Sequence, residues 1–241
     1  MSLIDLENFE KKIYSQNGED GITEKLISLI YKTNQNLFYC EFGVQNGKEC
    51  NSRILREKYG WKGLQLDSNY EDSKINLQKE WITKENIINL FQKYNVPIHI
   101  NLLSVDIDFN DFYCLKEILS VYTCDIIICE YNGTHSSSCD KIVIYDKDGK
   151  WDKTNYFGAS LLSLNKLAIK YNYSLVYCDK RGVNCFFVSN NIVKKHNLNF
   201  QYIGNCNKLY KPLKYRNDIN NGLLVDSNNR KFISFDKAIE Y

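Results

Sequence analysis

The chain has 241 residues, 44% hydrophobic and 25% charged, which suits a single globular α/β domain with additions and supplies enough apolar residues for a full core. Its 31 basic and 29 acidic residues leave a formal charge of +2, so there is no electrostatic case for a nucleic-acid partner. No apolar run approaches the roughly 18 residues of a membrane-crossing helix, and no membrane span is expected.

Residues 1–36 read as a polar-faced helical segment, because Ile22, Leu26, Leu29 and Ile30 recur at helical spacing. Leu37–Val44 is a short apolar run ending in glycine, read as the first strand. Glu49–Tyr59 is a helix with Ile54 and Leu55 facing the core, stopped by Gly60. Gly63–Asp67 is a second strand ending in an acid. Residues 70–94 read as an amphipathic helix through Ile87, Ile88, Leu90 and Phe91, ended by Pro97. Ile98–Asp106 is a third strand, Asn110–Ser120 a short helix, and Asp125–Glu130 a fourth strand that is wholly apolar until its end. Apolar strands alternating with helices imply a parallel sheet covered on both faces.

Residues 133–157 are polar and Ser-rich, with Tyr145, Trp151, Tyr156 and Phe157 interspersed, and read as an inserted loop over the active site that selects the acceptor. Ala159–Lys170 is a helix with Leu161, Leu162, Leu164 and Leu167 on its core side. Tyr173–Asp179 and Asn184–Ser189 form two strands, antiparallel because their connection is so short. Residues 190–241 carry weak patterning and read as a C-terminal extension to a core spanning 37–189. The expected fold is α/β: a Rossmann-like, mostly parallel seven-stranded sheet closed by an antiparallel hairpin, the arrangement of the class I methyltransferases.

Nine cysteines occur without any Cys-x-x-Cys pair, and Cys40, Cys124, Cys129, Cys178 and Cys185 sit inside apolar runs. Reduced, buried thiols in a cytoplasmic protein are expected. Asn132-Gly133-Thr134 and Asn172-Tyr173-Ser174 match the glycosylation sequon, but no signal peptide precedes them, so they read as chance matches. The bias to Asn, Lys, Ile and Tyr suits an AT-rich genome; a large DNA virus, acting in host cytoplasm, is one such source.

The segment Glu41-Phe42-Gly43-Val44-Gln45-Asn46-Gly47 reads as a cofactor loop leaving a buried strand. Glycine-rich turns of this kind let backbone approach a ligand closely and open a helix. Glu41 can accept bonds from the amino-acid end of the cofactor, and Asp67, 20 residues beyond Gly47, stands where an acid binds ribose hydroxyls, with Ser68 beside it. Two carboxylates suit the sulfonium and ribose of S-adenosylmethionine (SAM) better than a pyrophosphate.

Two further strands end in acids, at Asp106-Ile107-Asp108 and at Glu130-Tyr131-Asn132. Ligands of open α/β sheets bind beyond the carboxyl ends of the strands, so these residues should crowd one cleft with the cofactor. Carboxylates so gathered are costly unless protonated or joined to a cation, and oxygen ligands suit Mg²⁺ or Mn²⁺. Asp108 is then the base for an acceptor hydroxyl, with His135 as the alternative. The competing reading makes these acids helix caps and loop anchors.

Taken together, Ser15-Gln16-Asn17-Gly18-Glu19-Asp20-Gly21-Ile22, Glu41-Phe42-Gly43, Ser104–Asp108, Ile128–Asn132, Tyr156–Ser160 and Asp179–Asn184 resemble the FkbM-like methyltransferases over residues 14–189. The resemblance implies O-methylation, often of sugars in glycans or glycoconjugates, and suggests that Gln16 or Glu19 lines the cofactor site. The Asp-x-Asp also resembles metal-dependent macrocin-type sugar O-methyltransferases. Carried over, that pattern makes Asp106 and Glu130 metal ligands, Asp108 the base and Asn132 a further ligand; Asp106 also borders the cofactor. The usual glycine at position 45 is replaced by Gln45. An RNA ribose or cap methyltransferase, and a non-catalytic binding module on the same fold, are the alternatives to a sugar O-methyltransferase. The oligomeric state is left open, a homodimer being one option.

Overall fold

The computed structural model describes residues 2–32, 37–214 and 223–241. The apolar runs become strands β1 (Phe38–Phe42), β2 (Lys62–Asp67), β3 (Leu77–Lys79), β4 (His99–Val105), β5 (Thr123–Glu130), β6 (Tyr173–Cys178) and β7 (Asn184–Ser189). Before, between and after them run helices α1 (Glu19–Ile30), α2 (Arg53–Tyr59), α3 (Ile87–Lys93), α4 (Asp111–Val121), α5 (Leu161–Lys170), α6 (Asn190–Lys195), α7 (Cys206–Leu209) and α8 (Phe235–Ala238). The strands form one sheet in the order β3-β2-β1-β4-β5-β7-β6. Pairings from β3 to β5 are parallel, whereas β7 runs antiparallel to both β5 and β6. The fold is therefore the Rossmann-like class I methyltransferase fold, with the antiparallel strand slotted in beside β5.

Alternation along each strand divides the core in two. Cys40, Phe42, Leu103, Val105, Ile127 and Cys129 point to the face covered by α3, α4 and α5. Tyr39, Leu102, Ile126, Ile128 and Phe186 point to the face covered by α1 and α2. Helix α5 shows why the pattern works: Leu161, Leu164, Leu167 and Ala168 are buried along one stripe, and Ser160 caps the first turn through Ser163 N.

Several stretches depart from the sequence expectation. Among the described residues of 1–36, only a 3₁₀ turn (Leu6–Phe9) and α1 are helical. Residues 33–36 and 215–222, parts of the expected N- and C-terminal segments, lie outside the described residues. The helix expected over 49–59 begins at Arg53, because residues 48–52 are held as turns. The helix expected over 70–94 splits into a 3₁₀ turn (Ser73–Ile75), β3 and α3. Asn76 causes the break: it takes a left-handed conformation (φ 52°), and Leu77 then turns inward against Val44 and Cys50 as an edge strand. Residues 133–157 contain no regular helix or strand and are joined by isolated bridges to Ala159, Leu224 and Ile233. All nine cysteines are free thiols, eight of them buried. Among the described residues, no helix is long and apolar enough to cross a membrane.

Candidate cofactor cleft and acidic cluster

The loop after β1 turns through three left-handed residues: Gly43 (φ 69°), Gln45 (φ 48°) and Gly47 (φ 70°). A side chain at position 43 would meet a wall, since its Cβ would fall 1.7 Å from the carbonyl oxygen of Asp106. Gln45 keeps the turn that glycine would make. Its strain, about 1–2 kcal/mol for a left-handed L-residue, is offset by a charge-assisted bond from Gln45 N to Asp67 Oδ2 at 2.7 Å.

Beyond this loop opens a cavity of about 600 Å³, lined by Gly43, Gln45, Asp67, Ser68 and Asp108 among others. Asp67 is buried at its edge, with Oδ1 accepting Asn69 N (2.8 Å) and Oδ2 accepting Gln45 N. Each oxygen keeps accepting capacity for a further partner. Ser68 Oγ accepts Asn69 Nδ2 at 2.9 Å. Sequence reasoning missed the walls given by Tyr70, Trp81 and Ile82, from the stretch read as a helix, and by Lys150; Trp151 belongs to the 133–157 loop that it set over the site. Trp81 Nε1 donates to Lys147 O (2.9 Å) and Lys150 Nζ lies 4.9 Å over the Trp81 ring, so this segment closes the cavity on one side. The signal was present in composition, because two of only three tryptophans fall here.

Four expected cofactor residues stand off the cavity wall. Glu41 is buried, and its two oxygens accept Asn51 N and Ser52 N, each at 2.7 Å. It thereby satisfies N–H groups at the entry to α2, also accepts Ser104 Oγ at 3.2 Å, and does not line the cavity. Gly47 closes the turn through Val44 O (2.9 Å) and faces the Ile75 side chain. Gln16 is exposed, its carbonyl taken by Lys12 Nζ (2.8 Å), while neighbouring Glu19 is buried and bonded to Asn17 and Asn184. Asp106 lies behind the loop, its carbonyl packed against Gly43.

The acids do converge. Carboxylate oxygens of Asp106, Asp108 and Glu130 all lie within 4.8 Å of one another. Among the described residues no side-chain hydrogen bond reaches these three carboxylates, and Glu130 Oε2 is buried without a partner. Burial, then mutual repulsion with neighbouring acids, pushes Asp106 and Glu130 well above the carboxylate range. Partial desolvation and Asp67 push Asp108 up as well, although its side chain is exposed. Asp111 is pushed up to about 7 by burial, although its Oδ1 accepts Ile107 N at 2.7 Å. Asp179, in the β6–β7 connection, is likewise pushed up to about 7 by burial and by Glu19. A set of oxygen donors that repel one another and lack protein partners fits a hard divalent cation.

Asp108 is also conformationally unusual. It sits at φ 66°, and Phe109 N donates to Ile107 O at 2.9 Å across it. Such a three-residue turn with a positive central φ is rare and strained.

Two expected site residues are engaged elsewhere. Asn132 is fully buried, its Nδ2 donating to Asn155 O (3.0 Å) and Phe157 O (2.8 Å) while its Oδ1 accepts from Thr134. Its amide anchors the 155–157 chain, so it is not placed as a metal ligand. His135 is outside the carboxylate group. Its ring meets Phe232 edge-on at 4.7 Å and its Nε2 has no partner. Burial, and secondarily Lys141, depresses its pKa to about 4, so the ring is neutral at physiological pH.

No family model matches the chain, and no curated protein matches it. Among solved structures it is similar to the CMeT domain of the citrinin polyketide synthase, with 10% identity and a TM-score of 0.38. The match covers 73% of this chain and 54% of that one, so the chain spans about half the length of that structure. The strand order, not this distant likeness, carries the assignment of the fold.

Proposed function

We propose that the chain is a SAM-dependent O-methyltransferase whose acceptor is a sugar hydroxyl of a glycan or glycoconjugate. The observation that carries this reading is shared membership: Asp108 lines the cavity beside the cofactor loop and also belongs to the three-carboxylate group. A hydroxyl meeting a methyl donor in that cavity would lie beside a base. The sugar assignment rests on the FkbM-like motifs and on Tyr70, Trp81 and Trp151 around the cavity, since aromatic faces stack on sugar C–H surfaces.

When bound, SAM would supply an activated methyl group, and Mg²⁺ or Mn²⁺, which Asp106 and Glu130 would hold, would supply Lewis-acid polarisation of a hydroxyl. The chain's residues do the rest. Asp67 accepts ribose hydroxyls with its remaining lone pairs. Gly43 and Gln45 present backbone without obstruction. Asp108, exposed on the cavity side and held above the ordinary carboxylate range by partial desolvation and by Asp67, takes the proton of the acceptor hydroxyl as the hydroxyl oxygen bonds to the methyl carbon and the carbon–sulfur bond breaks. Holding both reactants in one cavity supplies much of the rate through positioning.

Calorimetry with SAM and its demethylated product, followed by a screen of nucleotide sugars and oligosaccharides with methyl-labelled SAM, tests the reading. Heat with either cofactor form and label transfer to a sugar are expected; absence of heat with both would sink it. Treatment with EDTA should abolish transfer and added Mg²⁺ or Mn²⁺ should restore it. Turnover indifferent to chelation would remove the metal while leaving the methyltransferase reading in place.

A further inference from the structure

The strained turn at Asp108 is held by residues distant in sequence. Its neighbour Phe109 is buried in a small apolar cluster with Val143, Tyr156 and half-buried Phe232, separate from both main cores. Ring centroids of Phe109 and Tyr156 are 6.0 Å apart, and those of Tyr156 and Phe232 are 4.8 Å apart. Gly149 lies flush on the Phe109 ring, where a Cβ would come within 2.5 Å. Asn110 Nδ2 donates to Asp146 O at 2.7 Å. Residues on the C-terminal side of Asp108 are therefore gripped by the 143–156 segment.

That segment is gripped in turn from the C-terminal end of the chain. Ile142 and Ile233 exchange both backbone bonds, at 2.9 and 2.8 Å. Tyr156 Oη donates to Lys231 O at 3.2 Å. The Arg230 guanidinium lies 4.2 Å over the Tyr156 ring and bonds Asp226 and Asp152. A strained backbone persists only where its surroundings over-determine it. Here the surroundings are this cluster on the Phe109 side and the Asp111 carboxylate, which accepts Ile107 N, on the other, since among the described residues the Asp108 side chain takes no hydrogen bond that would hold it.

We propose that Tyr156 and Phe232 are positioning residues: by clamping Phe109 they hold the Asp108 turn so that its carboxylate faces both the cavity and Asp106 and Glu130. The proposal rests on Asp108 being the base of the reading above. It makes residues 226–233, which do not line the cavity, part of the catalytic apparatus.

The test is Phe232→Ala in the full chain, compared with Phe232→Tyr, which keeps the ring. The alanine variant should lower kcat about 10–100-fold, as small misplacements of reacting groups do, with the SAM dissociation constant changed less than about twofold. Phe232→Tyr should restore kcat. In a crystal structure of the alanine variant, the bond from Phe109 N to Ile107 O should open and Asp108 should return to negative φ. Should Phe232→Ala fold poorly, Phe232→Leu is expected to show the same effects in smaller degree. A variant with unchanged kcat and an intact turn overturns the proposal, as does parallel loss of SAM affinity and turnover. If the unaltered protein transfers no methyl group, the functional reading fails, while the Asp108 turn in the variant crystal still decides whether the clamp exists.

Discussion

Asp108→Asn is expected to lower the rate of methyl transfer by about 10²–10⁴-fold, the usual contribution of a positioned base, while SAM affinity stays within about threefold. The substitution isolates proton acceptance. Asparagine has nearly the same shape but cannot take the proton. No side-chain hydrogen bond is lost, because Asp108 makes none among the described residues. Asparagine also tolerates the left-handed conformation found at φ 66° at least as well as aspartate. One fewer charge among Asp106, Asp111 and Glu130 relieves repulsion in the cation-free protein, so stability should hold or rise. Single-turnover kinetics with calorimetry on the same samples separates the two quantities. A rate equal to that of the unaltered protein would take the base role away from Asp108.

Gly43→Ala should be among the most damaging single-methyl additions in the molecule. The left-handed backbone costs about 1–2 kcal/mol and the overlap with Asp106 a further 1–3, giving about 2–5 kcal/mol together. The atom in the way is backbone, so no rotamer change relieves the contact. Gly60 provides the control. It has a similar φ of 65° but open space around its absent Cβ, so Gly60→Ala should cost only about 1–2 kcal/mol. Urea unfolding of the two variants measures the difference directly. Equal midpoints would show that the Gly43–Asp106 contact contributes nothing beyond backbone strain. SAM binding should be lost in Gly43→Ala alone, because displacing the loop also displaces Gln45 N from Asp67.

The strands and the closing hairpin were legible because buried parallel strands read as continuous apolar runs, and Ile126–Cys129 or Leu102–Val105 admit no other reading at that length. Convergence of Asp106, Asp108 and Glu130 followed from their places at strand ends. The 70–94 stretch was misread because Ile87, Ile88, Leu90 and Phe91, which do form α3, carried their helical reading back over the residues before them, while the left-handed Asn76 that breaks the stretch carries no mark in a polar, Asn-rich chain. Glu41 and Asn132 stand apart from the cavity and the carboxylate group for a shared reason. Each stands where a ligand-facing residue would stand, but local backbone has orphan groups to satisfy, and those win the side chain. No spacing rule shows whether a carboxylate points outward to a cofactor or inward to Asn51 and Ser52.

The bond from Asn184 Nδ2 to Glu19 Oε1, at 2.9 Å, joins residues 165 apart in sequence. Asn184 is also the register partner of Glu130, and Asp179 lies in the same hairpin. One wall of the acidic cluster thus comes from the start of α1 and another from the last two strands. A chain emerging from the ribosome offers β1 to β5 first, and these can pair while Asp106 and Glu130 are still open to water. Only when Asn184 arrives can Glu19 and the hairpin close over them. If the sheet assembles in chain order, the repelling carboxylates stay hydrated until the last two strands arrive, and hydrogen exchange during refolding should show the β5–β7 amides protected after those of β1–β4.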